Sequence, residues 1–410
     1  MELSLKTVKI GILNFLQNSL ESETLVPNMM RLKPSIPSFA KTLLFFFAVP
    51  LLAVDHDITI ENTNFTLSKV PYLSEDRVLY NYNRLRLTDN IKEENWFVHI
   101  TADIDNYYGE EYVNSFEYLF LRSIKADTPF DIETNPKNYG KGEVFGRIHR
   151  FNVGYADEKH NIVFGLQKIS MGVGRIWTPT DLFNPRNPLA LEPDQIYGAY
   201  ALSYTYALGE LSEVMGVVAK RHDHSYKYAG RIKGNVGFAD IALDLLSSND
   251  AQMIAYEIEG NLFDTGIEWR SEGGYFKDKL LDKEFYQGIL GFDYGFKNGL
   301  TVMTEWIHSL KTYRFNEILR HQESTLGNNR HLSSDYIGAS AYYEFNLLFS
   351  GSLSMIYTPE DQSSYITPVI EYSFSDDASI AIGAMLYGGD EESEFGSLEN
   401  SYYLRLKATF

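Results

Sequence analysis

The sequence of 410 residues contains no cysteine. It can therefore form no disulfide, bind no metal through thiolates and use no cysteine as a nucleophile. It also lacks any apolar run of the roughly 18 or more residues that a membrane-spanning helix needs. Positive charge is scarce, because 36 lysines and arginines face 55 aspartates and glutamates, for a net charge of −19. Such a chain does not attract nucleic-acid phosphates. These absences exclude a helical membrane protein, a cysteine enzyme and a nucleic-acid-binding protein.

Aromatic residues are abundant instead, with 29 tyrosines and 26 phenylalanines. Such residues favour strands and occupy the membrane interfaces of β-barrels. In the last segment one face carries Tyr402, Leu404, Leu406, Ala408 and Phe410, and the other carries Tyr403, Arg405, Lys407 and Thr409. The same alternation recurs at 337–347 and 378–387. One face toward lipid and one toward a wet interior is the pattern of a transmembrane barrel.

The N-terminal region has the pattern of an export signal. Positive residues between Met30 and Lys41 precede an apolar run from Leu43 to Ala53, and polar residues follow. A positive segment, an apolar segment of this length and a small residue at the end are typical of a secretory signal peptide. We therefore predict a signal peptide at 30–53 and a barrel domain at 54–410. Residues 1–29 precede the positive segment, which indicates a misassigned upstream start.

Strand-like segments separated by turns fill the rest of the chain, and short turns alternate with longer loops. Seventeen segments are predicted as strands: 77–87, 95–105, 144–156, 160–170, 196–208, 211–221, 227–237, 239–248, 251–262, 264–276, 285–296, 299–310, 334–346, 348–358, 364–374, 378–388 and 399–410. An even number requires one more, at 57–67 or 114–124. The predicted fold is an all-β, transmembrane, antiparallel barrel of about 16–18 strands, wide enough to enclose water.

One stretch departs from this pattern. Four of the thirteen prolines fall between Pro179 and Pro193, and proline cannot donate to a strand ladder. Apolar residues such as Trp177, Leu182 and Phe183 indicate a packed loop rather than a mobile one. Long loops without regular structure are usually functional or disordered. We expect this proline-rich loop to fold into the lumen as a constriction; the alternative is a surface cap without a role in transport.

The same stretch resembles the signature of a family of uncharacterised bacterial outer-membrane β-barrels, distantly similar to porins and alginate-export channels. The matching segments read Arg147-Ile-His-Arg150-Phe151, then Gly165-Leu166-Gln167, then Gly172-Val-Gly174, and then the loop Thr178-Pro179-Thr180-Asp181-Leu182-Phe183-Asn184-Pro185. Leu166 stands where the family has arginine, and Thr178 where it usually has asparagine. The resemblance covers roughly fifty residues and implies a fold and an outer-membrane location rather than a known activity.

These patterns give the candidate residues. The predicted constriction consists of Arg175, Trp177, Asp181, Phe183 and Asn184. Its predicted anchors are Arg147, Arg150 and Gln167, of which Arg150 and Gln167 should hydrogen-bond the loop's carbonyls and Asp181. Arg405 and Lys407 are predicted to face the lumen, either as part of a basic strip or in ordinary ion pairs. No cofactor or metal site is predicted, because His222, His224 and the acidic run 390–394 fit solvated loops better than metal ligands.

Three classes of function remain open. The favoured one is a porin-like channel for passive or weakly selective diffusion of small polar solutes across the outer membrane. The first alternative is a non-conducting structural or adhesion barrel plugged by the 172–192 loop. A less favoured alternative is a barrel-embedded hydrolase that uses Thr304, Glu305 and His308; we predict no enzyme. The expected partners are outer-membrane lipid and lipopolysaccharide, small polar solutes, and the barrel assembly machinery, which would recognise the strand ending at Phe410.

Overall fold

A computed structural model describes residues 55–410. The predicted start site and signal peptide lie outside the described residues. Among these residues, no helix is both long enough and apolar enough to cross a membrane. The helices are short: α1 is Glu110–Val113, α2 is Phe116–Ser123 and α3 is Phe315–Arg320, with 3₁₀ turns at Phe263–Thr265 and Gly327–Asn329.

The rest is a single antiparallel sheet that closes on itself, because β1 pairs with both β2 and β19. The strands are β1 Asp55–Lys69, β2 Val78–Glu93, β3 Trp96–Tyr108, β4 Lys137–Tyr139, β5 Gly142–Ala156, β6 His160–Gln167, β7 Ala199–Gly209, β8 Ser212–Lys220, β9 Tyr226–Asn235, β10 Ala239–Ser247, β11 Ala251–Asn261, β12 Ile267–Asp278, β13 Lys283–Gly295, β14 Thr301–Ser309, β15 Asp335–Glu344, β16 Phe349–Thr358, β17 Ser363–Ser375, β18 Ala378–Gly388 and β19 Ser401–Thr409. Since β4 pairs only with β5 and β3 pairs directly with β5, the wall has 18 strands.

All seventeen predicted strand segments coincide with strands of the wall. The eighteenth is the segment predicted at 57–67, which lies within β1. The other candidate, 114–124, is helical instead. Ser115 caps that helix by accepting a hydrogen bond from the backbone N–H of Tyr118 at 3.2 Å. An N-terminal serine cap outweighs the β propensity of the aromatic residues that follow it.

The two rims of the barrel differ. One rim carries the long connections, at 109–141, 168–198, 310–334 and 389–400; the other carries only short turns such as 94–95, 157–159 and 376–377. Both ends of the wall lie at the short-turn rim, where Ile60 and Phe410 exchange backbone hydrogen bonds of 3.1 and 2.8 Å. In outer-membrane barrels the short turns face the periplasm and the long loops face outward.

Along each strand, exposed apolar side chains alternate with buried or polar ones. Leu243, Leu245, Ile254, Trp306 and Leu353 are on the exposed face, and their neighbours in sequence point into the barrel. A bulge modifies this alternation in β5. Thr101 pairs with Arg150 while the next residue, Ala102, pairs with Ile148. Because one residue is extra, Arg147 and Arg150 share the inner face although they are three apart in sequence.

The apolar core lies where the long connections contact inward-facing side chains of the wall. Tyr112 of α1 stacks on Tyr80 of β2 with ring centroids 3.6 Å apart. Leu326 of the 310–334 connection packs with Phe276 and Phe285 of β12 and β13. The alternation of the sequence predicts the wall, but gives no indication that these other connections pack against it.

Candidate functional site

The proline-rich loop, residues 168–198, connects β6 to β7 on the long-loop rim. Its two ends are joined by the side chain of Asn184. The side-chain oxygen of Asn184 accepts a hydrogen bond from the backbone N–H of Ile169 at 2.7 Å, and its amide nitrogen donates to the carbonyl of Tyr197. Asn184 is fully buried. One buried amide therefore closes the base of the loop.

Three carboxylates of the opposite wall hold the first half of the loop. Glu272 of β12 accepts hydrogen bonds from the backbone N–H groups of Val173, Gly174 (2.9 Å) and Thr180 (3.1 Å). It also accepts one from the Thr180 hydroxyl at 3.1 Å. The Glu272 side chain is completely buried. Four short contacts to a single buried carboxylate fix the loop against the inward-facing side of β12.

Glu305 of β14 plays the same part for the next three residues. It accepts hydrogen bonds from the backbone N–H groups of Arg175 (2.9 Å), Ile176 (3.1 Å) and Trp177 (2.8 Å). Its charge is balanced by Arg270, whose Nε lies 3.2 Å away. A buried charge is tolerated only when it is paired and hydrogen-bonded, and Glu305 meets both conditions.

Glu257 of β11 completes the set. It accepts a hydrogen bond from the backbone N–H of Gly172 at 2.6 Å and pairs with Arg231 of β9. Together the three carboxylates bind seven backbone N–H groups of the loop, from residues 172–177 and 180. The sequence gives no sign of this arrangement, although it places Glu305 among the residues considered for a hydrolase.

The two glycines of the Gly-x-Gly segment are required by this close approach. Gly172 has φ +87°, and a Cβ added there would lie 2.5 Å from a carboxylate oxygen of Glu272. A Cβ at Gly174 would lie 1.7 Å from the carbonyl oxygen of Trp177. On the wall, a Cβ at Gly338 of β15 would lie 2.4 Å from Ile176. Glycine on both surfaces therefore lets loop and wall approach closely.

The predicted constriction residues fall into two groups. Arg175 is exposed, and its guanidinium lies 2.7 Å from Glu259. Phe183 is half-buried beneath Lys227, whose ammonium lies 5.2 Å from the ring centroid. Trp177, Asp181 and Asn184, by contrast, are only 6%, 4% and 1% exposed. These three cannot line an aqueous passage, because they are packed between the loop and the wall. They hold the loop in place instead, and the constriction that they would help to form stays a prediction.

The predicted anchors differ from one another too. Arg150 donates to the carbonyl of Ile196 at 2.9 Å, as expected for a contact with the loop. The Arg147 guanidinium lies 5.2 Å from the ring centroid of Tyr197 in the loop. The prediction that Gln167 bonds the loop is wrong. Its side-chain amide donates instead to the backbone carbonyls of Val163 in β6 and Ala201 in β7. Its position at the end of β6 places its amide within reach of the ladder rather than of the loop.

Arg150 and Gln167 were also predicted to hydrogen-bond Asp181, and neither does. The Asp181 carboxylate instead accepts hydrogen bonds from the N–H groups of Phe183 (3.1 Å) and Asn184 (2.8 Å). An aspartate that bonds the backbone two and three residues ahead forms a local turn. Asp181 therefore stabilises the shape of the loop from within.

Arg405 and Lys407 both point to the inner face, and both are paired. Arg405 lies 2.9 Å from Glu371 of β17, and Lys407 lies 2.8 Å from Glu61 of β1. Of the two interpretations open from sequence, these contacts favour ordinary ion pairs over a free basic strip.

Arginines and carboxylates also cluster on opposite sides of the barrel, although most of them are ion-paired on their own side, as Arg86 is with Asp103 and Asp293 is with Arg270. The basic residues are Arg84 and Arg86 of β2 with Arg147 and Arg150 of β5. The acidic ones are Asp244, Glu257, Glu272, Asp293 and Glu305 of β10–β14. Counted either way round the wall, β2 and β12 are nine strands apart, so they are diametrically opposite. The proline-rich loop starts at β6, next to the basic strand β5, and reaches the acidic strands β11, β12 and β14.

Solved structures share this architecture. OccAB1 of Acinetobacter baumannii aligns over 87% of this chain and 96% of its own, with a TM-score of 0.55 at 10% identity. The outer membrane protein opdK of Pseudomonas aeruginosa aligns over 87% of this chain and 98% of its own, with a TM-score of 0.54 at 8% identity. OccAB3 of Acinetobacter baumannii gives a TM-score of 0.53 at 12% identity, over 87% and 99% of the two chains. The fold is that of an outer-membrane β-barrel. No family model and no curated protein matches the sequence.

The outer-membrane barrel does not assemble the residues considered for a hydrolase. Glu305 points inward and is occupied by the loop, whereas His308 lies on the exposed face and contacts Asp335 at 2.9 Å. Within residues 55–410, no group of three or more histidines, aspartates or glutamates could hold a metal ion. His222, considered as a metal ligand from sequence, contacts Asp127 at 2.7 Å.

We expect the docking of the loop to depend on pH through Asp181. Burial raises the pKa of Asp181 to about 7, and the backbone hydrogen bonds that it accepts oppose this rise only in part. A released loop would expose the carboxyl to water, where its pKa is near 3.8. Because the docked state holds the proton more tightly, docking is strongest below about pH 4 and weakens as the pH rises to about 7.

We therefore expect a spin label at Asn187→Cys, on the exposed part of the loop, to become more mobile between about pH 4 and pH 7 and to change little above that range. The chain has no other cysteine, so the label reports one site. Asp181→Asn keeps the acceptor oxygen but cannot ionise, and should remove this dependence. Equal pH dependence in both proteins would assign the effect to another group. Asp181→Ala, which removes the acceptor, should increase the mobility of the label at every pH.

Proposed function

We propose that this protein is an outer-membrane channel through which small polar solutes diffuse, and that the proline-rich loop folds into the lumen and narrows it. The observation that carries this proposal is the attachment of seven loop N–H groups to Glu257, Glu272 and Glu305. These carboxylates alternate along their strands with exposed apolar residues, so they belong to the lumen side. A segment fixed there takes up part of the cross-section of an 18-stranded barrel.

Charge along the passage supports weak selectivity. The exposed guanidinium of Arg175 lies beside Glu259 and Asp293, at 2.7 and 3.8 Å. Behind it are the acidic strands, and across the lumen are the arginines of β2 and β5, of which Arg84, Arg86 and Arg147 are themselves paired with nearby carboxylates. Opposed charges at a narrow point orient a polar solute and set its barrier. A small dipolar or charged solute passes such a point more readily than an apolar one.

The plugged barrel is the second candidate, and one observation favours it. Connections other than the proline-rich loop also contact inward-facing side chains, such as Tyr112 on Tyr80 and Phe395 on Tyr365 (6.2 Å). If these segments together close the lumen, the barrel is structural or adhesive. The channel is preferred because the loop leaves the charged group of Arg175 exposed and that of Arg186 half-exposed, instead of covering them with apolar residues.

Membership in the family with the Asp-Leu-Phe-Asn-Pro loop is part of the same proposal. It is supported by the role of the motif residues, since Asp181 and Asn184 hold the loop while Gly172 and Gly174 allow its approach. We further propose that lipopolysaccharide surrounds the long-loop rim and that the barrel assembly machinery recognises the last strand. Phe410 is highly exposed at the short-turn rim, where such recognition is possible.

Single-channel recording in planar bilayers tests the proposal. The purified protein should give discrete conductance steps, and a potassium chloride gradient should give a reversal potential that reports charge preference. If the protein is correctly folded but gives no conductance, the result would contradict the channel proposal and favour the plugged barrel. As a control for insertion, silence must be accompanied by heat-modifiable migration in electrophoresis, which reports a closed barrel.

A further inference from the structure

The short-turn rim is chemically uneven. Five consecutive turns, those between β7 and β16, carry exposed apolar residues outside or at the ends of the strands. These residues are Leu208, Leu211, Val236, Phe238, Leu262, Phe263, Phe296, Phe345, Leu347 and Leu348. The other three turns contain only polar residues between their strands, namely Glu94 and Asn95, Asp157 to Lys159, and Asp376 with Asp377, although the exposed Trp96 and Phe374 lie at strand ends beside two of them. We define the first set as the apolar arc and the second as the polar turns.

The exposure within the apolar arc is extreme. Leu347 is 99% exposed, Phe263 87% and Phe238 68%. Phe263 also has φ +52°, a conformation that residues with a bulky side chain rarely adopt. Both the exposure of a large aromatic ring to water and the strained backbone beneath it raise the free energy of the protein. Such an arrangement indicates that something apolar covers the ring when the protein is in place.

The geometry of the wall points the same way. Of the strands that flank two of the polar turns, β2, β3 and β5 have 16, 13 and 15 residues, and β6 has 8. Strands β7–β16 have nine to thirteen. At a rise of about 3.3 Å per residue, three extra residues add about 10 Å along a strand. Two strands that lead into polar turns, β2 and β5, are therefore longer than any strand that ends in the apolar arc.

A membrane protein whose apolar wall does not match the local bilayer thickness is accommodated by tilting or by local thinning of the bilayer. We propose that the apolar arc is a membrane-binding edge, which inserts into the periplasm-facing leaflet of the outer membrane while the polar turns remain in water. The partner is phospholipid, recognised by its apolar chains close to the head groups.

Two observations favour lipid over a protein partner. The apolar arc continues the lipid-facing side of the same strands, as in β9 and β10, where Ile232 and Leu243 are exposed above Val236 and Phe238. Its members are also spread along a curved rim, since successive turns are two strands, or about 10 Å, apart. A docked protein would require a compact patch, whereas a leaflet meets the rim wherever it lies. This inference rests on the barrel fold and not on conduction.

The absence of cysteine makes a site-by-site test possible. Single variants Phe263→Cys and Leu347→Cys, with Glu158→Cys and Asp376→Cys as matched controls in polar turns, are spin-labelled and reconstituted in phospholipid vesicles. Collisions with oxygen, which concentrates in lipid, are compared with collisions with a water-soluble nickel chelate. The oxygen-to-nickel ratio should be several-fold higher at 263 and 347 than at 158 and 376.

Two results would overturn the inference. Equal ratios at all four sites would place the apolar arc in water. Labels at 263 and 347 shielded from both reagents would mean that a protein surface, such as a second copy of the chain, covers the arc. Leu347 makes so little contact with the rest of the chain that its variant should fold normally, and measured conductance does not enter the test.

Discussion

Replacing residues 176–191 by a short Gly/Ser linker is expected to raise the single-channel conductance several-fold. This segment contains Trp177, which packs with Ile289 and Ile307, and Leu182, which packs with Phe276 and Phe285. Replacing the segment therefore removes most of the side chains that pack the loop against the inner face of the wall. The ladder between β6 and β7 does not depend on it, because residues 160–167 pair directly with 199–206. The barrel should therefore stay closed while its passage widens.

A matched control leaves the anchored part of the loop in place. Only Asn187 to Leu189, at the exposed tip, are replaced by Gly/Ser in that variant. Its conductance should stay close to that of the parent. If the larger replacement leaves conductance unchanged while circular dichroism reports an intact sheet, the loop does not limit the passage. If the parent is silent and only the replacement conducts, the loop is a plug.

The wall could be predicted from sequence because each strand carries its own signal. Alternation along ten or so residues marks one face for lipid, and turn residues mark the ends, so the 18 strands follow with one ambiguity at 114–124. That ambiguity was decided by a helix cap at Ser115, a local interaction that competes with aromatic β propensity. The leader and the chosen start lie outside the described residues, and remain predictions.

The site was harder to predict because it depends on register between distant strands. Glu257, Glu272 and Glu305 are each a single carboxylate at an inward position, and in the sequence they look like any solvated lumen residue. Only the pairing of β11 to β14 brings them under one loop. The sequence likewise gives no sign of the bulge that puts Arg147 and Arg150 on one face. Gln167 was misassigned for the same reason, since its partners are in adjacent strands.

Glu272→Ala is expected to release the first half of the loop. The substitution removes the acceptor of three backbone N–H groups and of the Thr180 hydroxyl. Each buried donor left without a partner costs about 1–3 kcal/mol, so the loss of all four should lower the docking equilibrium constant by at least about a hundred-fold. Trypsin should then cleave after Arg175 or Arg186 much faster than in the parent, and current through the channel should become noisier.

Glu268→Ala is the matched control, because Glu268 is on the same strand and the same inner face as Glu272 but is exposed. It removes an inward-facing carboxyl group without removing an acceptor of the loop. A protease rate and current noise that change equally in both variants would mean that charge, and not anchoring, is responsible. Glu272→Gln separates the two further, since it keeps one acceptor oxygen while losing the charge. An intermediate cleavage rate there would identify the hydrogen bonds of Glu272 as the interaction that holds the loop.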